Sequence, residues 1–505
     1  MFKVYNSLSD KLEVLDLALD KPIKWYTCGP TIYDSAHLGH ARTFISFDII
    51  RRVLINFGYG INYVMNITDI DDKILNSVGE IFKEHAGQND YKTTYYNFIQ
   101  EKEKTFWSDM DKLNILRPTI VTRVTEYIPK MIDYVQKILD NGYAYEANGS
   151  IYFDSKAFEE KHVCNKFFKR LSDLKETEYT DCEFAVEKKN KMDFSLWKKA
   201  KEGELSFETP WSSAMRPGWS LECSVMASDI LHEGLDIHSG GIDLLFPHHT
   251  NELLQATAFN DKPDFRWVKF FLHSGHLHID GKKMSQSLKN YITIQEFLEK
   301  MGEPNDLRML SLMHHWNSTM NYTQDNLSTA KNNNKRFVEF IKHLQFILRN
   351  KKNKNKISKE DEQFNVFFFN LRKAIHNNLL ENINTPEVIK NLFELMNRTY
   401  VYLEFDYNYG QINQVYTYFL QIVELFGLSY KLENNSTDVS KYVDVLVDFR
   451  EEVRKVVRSE GHKMNKEAAN KLYDLLDDLR NNKMKSLGIE VQDGNKGCKW
   501  IFMSK

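Results

Sequence analysis

Cysteine is scarce: Cys28, Cys164, Cys182, Cys223 and Cys498 are scattered over a chain of 505 residues. An odd, dispersed set of this kind is not a disulfide framework and fits a reducing compartment. An excess of charge of one sign is also missing. Lys and Arg number 67 against 70 Asp and Glu, a formal balance of −3, which argues against wholesale non-specific nucleic-acid binding while leaving room for a local basic face. No stretch approaches the ~18 uninterrupted apolar residues of a membrane span. The first residues, M-F-K-V-Y-N-S-L-S-D-K, have neither the apolar run of a secretory signal nor the arginine bias of a transit peptide. A cytoplasmic location without membrane association is expected. The chain is too long for one core, so several domains are expected as well.

What is present begins with a βαβ pattern. Residues 23–28 read as a short strand ending at Gly29-Pro30. A helix is predicted from about His37, where Phe44, Phe47, Ile50, Leu54 and Phe57 recur every three or four residues. Gly58 and Gly60 stop it, and residues 61–67 form a second, parallel strand. Such a doubly wound sheet binds its ligand beyond the carboxyl ends of its strands, at the switch in strand order. Cys28, the turn His37-Leu38-Gly39-His40 and Thr68-Asp69 all fall at such ends. Residues 125–215, with turn signals such as Asn148-Gly149 and lysines near 188–201, read as an insertion between halves of the sheet. Strands resume at 235–238, before a loop Ser239-Gly240-Gly241-Ile242-Asp243, and at 268–272. Asp280-Gly281 is a tight turn that delivers Lys282-Lys283-Met284-Ser285-Gln286-Ser287. Beyond about 327 helical periodicity dominates, opening on a segment rich in Lys, Arg and Asn at 331–356. Residues 432–440 read as a polar linker, and the remainder as two helices and a short tail.

Several of these patterns carry chemistry. H-x-G-H places His37 and His40 one turn apart at a helix start, so that both imidazoles and the free N–H groups can address one anion. Gly39, lacking a Cβ, leaves room for a flat ring over its backbone. Lys283 offers a mobile cation to charge that develops on a departing phosphate group. Gly240-Gly241 admit a ligand, and Asp243 can accept from ribose hydroxyls. His248 and Glu252, four apart in F-P-H-H-T-N-E, share one face of a helix opening at Pro247. With Cys28 and Cys223 they offer a zinc-type set of two sulfurs, a nitrogen and an oxygen, and His249 competes with His248 for the nitrogen.

In order along the chain, Y-T-C-G-P-T-I-Y-D-S-A-H-L-G-H-A-R, M-N-I-T-D-I-D-D-K-I, R-P-G-W-S-L-E-C-S, F-P-H-H-T-N-E and K-M-S-Q-S-L-K-N resemble the motifs of the cysteinyl-tRNA synthetases, a family of class I aminoacyl-tRNA synthetases. The likeness runs nearly end to end, and F-L-H-S-G-H-L-H-I-D-G-K-K-M looks closer to the eukaryotic branch. The resemblance implies an α/β Rossmann-type catalytic domain in two halves, 1–124 and 216–265, split by a connective insertion over 125–215. It further implies a stem-contact region with the K-M-S-x-S loop over 266–327, a helical bundle over 328–440 and an anticodon-binding domain over 441–505. One zinc ion per chain is implied on Cys28, Cys223, His248 and Glu252. Catalytic roles are implied for His37, His40 and Lys283, ATP contacts for Gly39, His40, Asp243 and Lys283, and a cysteine pocket for Thr68, Trp219 and His238. The implied reaction attaches L-cysteine to tRNA(Cys) through a cysteinyl-adenylate, with Mg²⁺ accompanying ATP and zinc recognising the thiolate. One position departs from the family: Gln286 stands where its loop carries a second lysine, with Lys282 and Lys289 close enough in sequence to compensate. A cysteine ligase acting on an amino-sugar would share the catalytic half but not the residues after 330.

Overall fold

The structure, a computed structural model, describes residues 1–84, 90–162, 187–201, 205–232, 234–262, 265–284, 290–349, 356–430, 437–460, 465–494 and 497–502. These divide into two compact units. One comprises residues 1–331, 374–390 and 425–428, and the other 332–373, 391–424 and 429–505. Among the described residues no helix is long and apolar enough to cross a membrane.

The first unit is built on a five-stranded sheet of Ile23–Thr27 (β1), Ile61–Ile67 (β2), Ile120–Arg123 (β3), Leu235–Gly241 (β4) and Val268–Ser274 (β5). The spatial order is β5-β4-β1-β2-β3, and every pairing is parallel. Trp25, Tyr26 and Thr27 are wholly buried, as expected of a central strand covered on both faces. The chain steps outward from β1 to β3, then returns past β1 to start β4, so strand order reverses between β1 and β4. At that reversal the Cys28 N–H donates to the Ser239 carbonyl at 3.0 Å.

Helix α1, Leu38–Asn56, follows β1 and buries Phe44, Phe47, Ile50 and Leu54. It is followed by Gly58 at φ +91°, a conformation that glycine adopts without a Cβ clash. Between β3 and helix α2, Trp219–Leu231, stands a four-stranded antiparallel sheet of Ala144–Ala147, Ser150–Phe153, Phe194–Lys199 and Met215–Pro217. After β5 come the short strands β6, Leu277–Ile279, and β7, Lys282–Lys283, joined through Asp280-Gly281. A parallel partner, β8, is supplied by Met320–Tyr322.

One local expectation needs correction. Ser239-Gly240-Gly241 is strand rather than loop, paired with residues 272–274 of β5. A Cβ on Gly240 would stand 2.8 Å from the His249 ring, so packing rather than a turn explains that glycine. The helix does open at Pro247, as expected: the one residue of 245–249 with non-helical angles is Phe246, just before it. It continues as α3, Thr250–Asn260.

The second unit takes in parts of the helices Gln324–Arg349, Lys359–Leu380, Thr385–Tyr402 and Tyr409–Leu425, then Thr437–Glu460 and Lys466–Asp478. The expected linker over 432–440 is already helical from Thr437, and residues 431–436 lie outside the described residues. The expected tail is a β-hairpin, Ile489–Gly494 with Gly497–Phe502. Ile489, Val491 and Trp500 are buried from it beside Val443 and Val447, the period-two alternation of a half-buried ribbon.

Candidate active site and metal-binding cluster

Five potential donors converge at the reversal of strand order. Cys28 follows β1, Cys223 lies on α2, and His248, His249 and Glu252 come from the turn before α3 and its first residues. Cys28 Sγ lies 3.6 Å from Cys223 Sγ, 3.4 Å from His248 Nε2, 3.3 Å from His249 Nε2 and 3.8 Å from Glu252 Oε1. The sulfur–sulfur distance is far beyond that of a disulfide. All five side chains are buried. Burial lifts the Cys28 thiol well above its ordinary value and pushes Glu252 up to about 8, while it holds both histidines below theirs. Desolvation thus keeps these groups from carrying charge by themselves. Cys28, His248, His249 and Glu252 each bring one donor atom within 4.8 Å of the others, and Cys223 adjoins them through Cys28, a donor set suited to zinc.

A second layer orients the donors. His238 Nε2 and Glu252 Oε2 are 2.8 Å apart, His249 Nδ1 meets His273 Nε2 at 2.6 Å, and Ser220 Oγ lies 3.4 Å from His248 Nδ1. Trp219, 45% exposed, lays its ring 4.3 Å from that of His248 and lines a cavity of about 390 Å³ with Asn251 and Pro247. His238, expected at the cysteine pocket, is fully buried between Tyr26 and Phe271. Its Nε2 is engaged by Glu252. Thr68, at the end of β2, donates to Glu222 Oε2 at 3.2 Å and accepts from Asn66 Nδ2 at 3.1 Å. Burial and the neighbouring Cys223 raise Glu222 well above the carboxylate range.

The nucleotide-type motifs assemble beside this cluster. His37 caps α1: its Nδ1 accepts from the His40 N–H at 3.2 Å, and His40 Nδ1 accepts from the His37 N–H at 3.4 Å. The rings stack, centroids 3.8 Å apart and 13° from parallel. Burial lowers His37 to about 4 and His40 well below its ordinary value, so both are neutral at pH 7. A nitrogen that accepts has no proton, which leaves the proton of each ring on Nε2, ready to donate. Gly39 is packed closely by its neighbours on this turn. A Cβ there would stand 2.8 Å from the His37 ring and 3.2 Å from the Met284 methyl. That contact places the residue after Lys283 directly on the H-x-G-H turn. Lys283 itself is exposed on β7, opposite His278. Asp243 lies in a single turn after β4, and its field reaches His37 and His276, as the field of Lys283 reaches His276. Residues 285–289, including Gln286 and Lys289, lie outside the described residues.

Glu222, Asn66, His273 and His276 are site residues that pattern reading passed over. Glu222 had a signal, its place beside Cys223 in S-L-E-C-S, and His276 had its alternation with His278 in G-H-L-H-I-D. Asn66 and His273 gave none.

Comparison with known proteins bears on all of this. Residues 15–332 match the model of the class I tRNA synthetase (C) catalytic domain. The cytoplasmic cysteine–tRNA ligase of Dictyostelium discoideum is 38% identical over 96% of this chain and 75% of its own length. The cysteine–tRNA ligase of Encephalitozoon cuniculi is 37% identical, and that of Methanococcus maripaludis 36%, each over 98% of both chains. The methionyl-tRNA synthetase of Mycobacterium tuberculosis, solved with methionyl-adenylate, shares the fold at a TM-score of 0.59 and 12% identity, over 81% of this chain and 90% of that one. Sequence likeness over nearly the whole length, on a sheet whose switch point gathers these donors, makes the chain a member of the cysteine–tRNA ligase family of class I aminoacyl-tRNA synthetases.

Proposed function

We propose that the chain attaches L-cysteine to tRNA(Cys) in the cytoplasm, in an ATP-dependent reaction that passes through cysteinyl-adenylate. The observation that carries this reading is the convergence of Cys28, Cys223, His248, His249 and Glu252 beside a helix start whose two histidines present N–H donors. Zinc bound by Cys28, Cys223, His248 and Glu252 would supply a soft Lewis acid that favours the thiolate of cysteine over the hydroxyl of serine. His248 is preferred to His249 as ligand because its Nε2 lies 3.1 Å from Glu252 Oε1, against 3.9 Å. His238 is a positioning residue for Glu252. Thr68 and Trp219 line the space for the amino acid.

The cysteine carboxylate attacks the α-phosphorus of ATP and pyrophosphate leaves. The terminal ribose hydroxyl of the tRNA then attacks the carbonyl of cysteinyl-adenylate, taking the cysteinyl group as AMP leaves. Neither step needs a protein nucleophile, so positioning and charge stabilisation carry both. The Nε2–H groups of His37 and His40 donate to phosphate oxygens at the positive end of the α1 dipole. Asp243 accepts from ribose, and Lys283 meets the charge that grows on pyrophosphate. Residues 441–505 serve as the anticodon-binding domain, and the basic residues of 331–349 track the tRNA backbone, a contact that weakens as salt rises. Cysteine-dependent ATP–pyrophosphate exchange, followed by charging of tRNA(Cys) and metal analysis of the purified protein, tests the reading. Absence of exchange sinks the enzyme assignment, and full cysteine activation after thorough chelation sinks the role of zinc.

A further inference from the structure

One helix of the second unit is apolar on two sides. Along Thr437–Glu460, Val443, Val447 and Val457 are buried, and Val443 and Val447 pack with the terminal hairpin. A second row faces water: Tyr442 is 74% exposed, Val445 68%, Leu446 39%, Phe449 59% and Val456 56%. With half-buried Val453, positions 442, 446, 449, 453 and 456 advance by four and three residues in turn. That is the heptad spacing of a seam that takes a second helix. Single exposed apolar residues need no account, but a contiguous row of this length, on the order of 500 Å², marks an interaction surface.

The charges beside the row choose the partner. Asp448, Glu452, Lys455 and Arg458 are exposed and follow one another in that order, the acidic pair at mid-helix and the basic pair toward its C-terminal end. A nucleic acid laid on the row would bring its phosphates against Asp448 and Glu452, which disfavours it. A parallel copy of the helix would stack like charge on like. An antiparallel copy sets the basic end of each helix along the acidic stretch of the other. We propose that this face of Thr437–Glu460 is the interface of a homodimer, in which the two copies of the helix pair antiparallel. With the helices crossing between Phe449 and Val453, Asp448 lies beside the partner's Lys455, and twofold symmetry makes that contact twice. Phe449 is the aromatic anchor at the centre. Two such faces bury about 1,000 Å² in all, the low end for a specific interface, so the dimer comes apart on dilution.

Sedimentation equilibrium of the full-length protein over a concentration series tests this. The wild type should pass from the monomer mass to twice that mass as concentration rises; a protein that stays monomeric throughout overturns the proposal. Phe449→Glu puts a charge at the crossing and should raise the dimer Kd about 100-fold or more, with circular dichroism unchanged because that side chain faces water. A dimer that survives Phe449→Glu has its interface elsewhere and overturns the proposal too. Should that variant fail to fold, the surface charges carry the test. Asp448→Lys and Lys455→Asp should each raise Kd about 3- to 30-fold, the range of two exposed ion pairs, and the double variant should recover the wild-type value. A double variant that does not recover overturns the antiparallel order. Weaker tRNA binding by Phe449→Glu in a protein that is monomeric throughout assigns the face to RNA instead. None of these measurements depends on the activity assigned to the chain.

Discussion

Replacing Arg42 by methionine should slow adenylate formation while leaving the fold intact. Arg42 stands two residues after His40 on α1 and is 2% exposed. Its guanidinium donates to four carbonyls, those of His315 at 2.6 Å, Ser311 and Trp316 at 3.3 Å and Ser318 at 3.4 Å. Burial lowers its pKa only to about 10, so it is charged at pH 7. The turn it grips leads into β8, the partner of β6, and the Trp316 carbonyl also accepts from the Gly275 N–H at 3.0 Å. Through that turn the H-x-G-H helix holds the β6–β7 hairpin that presents Lys283. The short bond is a charge-assisted one of roughly 1.5–3 kcal/mol, and the three long ones add about 1 kcal/mol or less each. Unfolding should therefore become easier by about 2–6 kcal/mol, within reach of a folded variant. Displacing Lys283 by about an ångström should lower kcat up to 10²-fold. Steady-state pyrophosphate exchange, with kcat and KM for ATP separated, and a thermal melt measure the two effects. Arg42→Lys should recover part of both. A lowered melting temperature with unchanged kcat would show that the clamp braces the fold and does not position the hairpin.

Three other outcomes follow from the same geometry. Lys283→Ala should cut adenylate formation far more than ATP binding, because its charge is needed only as pyrophosphate forms; unchanged kcat with raised KM would contradict this. Cys223→Ser should lose zinc and cysteine activation together while ATP binding survives, which metal analysis and ATP titration would show. Asp48→Asn should destabilise the first unit by about 3–5 kcal/mol. It leaves Arg308, 1% exposed and 2.6 Å from that carboxylate, without its counter-ion, and chemical denaturation against wild type measures the loss.

The sequence made the framework of the site readable where a period or a cap was involved. The alternation of buried positions on α1, the strand before it and the four-residue spacing of His248 and Glu252 are local properties of the chain. Arrangements set by tertiary packing were not readable. The glycines after Ser239 look like a turn in one dimension, yet they continue β4 because His249 packs where a Cβ would be. His238 carries no mark that its partner is Glu252, fourteen residues on. The stacked and mutually capping rings of His37 and His40 have the predicted spacing but a geometry that only the helix start determines. The terminal hairpin was missed because its two strands flank a turn rich in Gly, Asn and Lys that reads equally well as a polar tail.

The switch point of the sheet also imposes an order of events on the newborn chain. Cys28 is separated by 224 residues from Glu252, and the residues between them must leave the ribosome first. At ordinary rates of synthesis that interval lasts about 10–45 s. Until Cys223 has emerged Cys28 has none of the other donors that later surround it, and metal captured that early would be held by one sulfur alone. Only when α2 and α3 have docked against β1 can the cluster exist, so metal uptake would report that docking rather than any earlier stage. A chain truncated before residue 252 should therefore expose a reactive thiol at Cys28, whereas the full chain hides it.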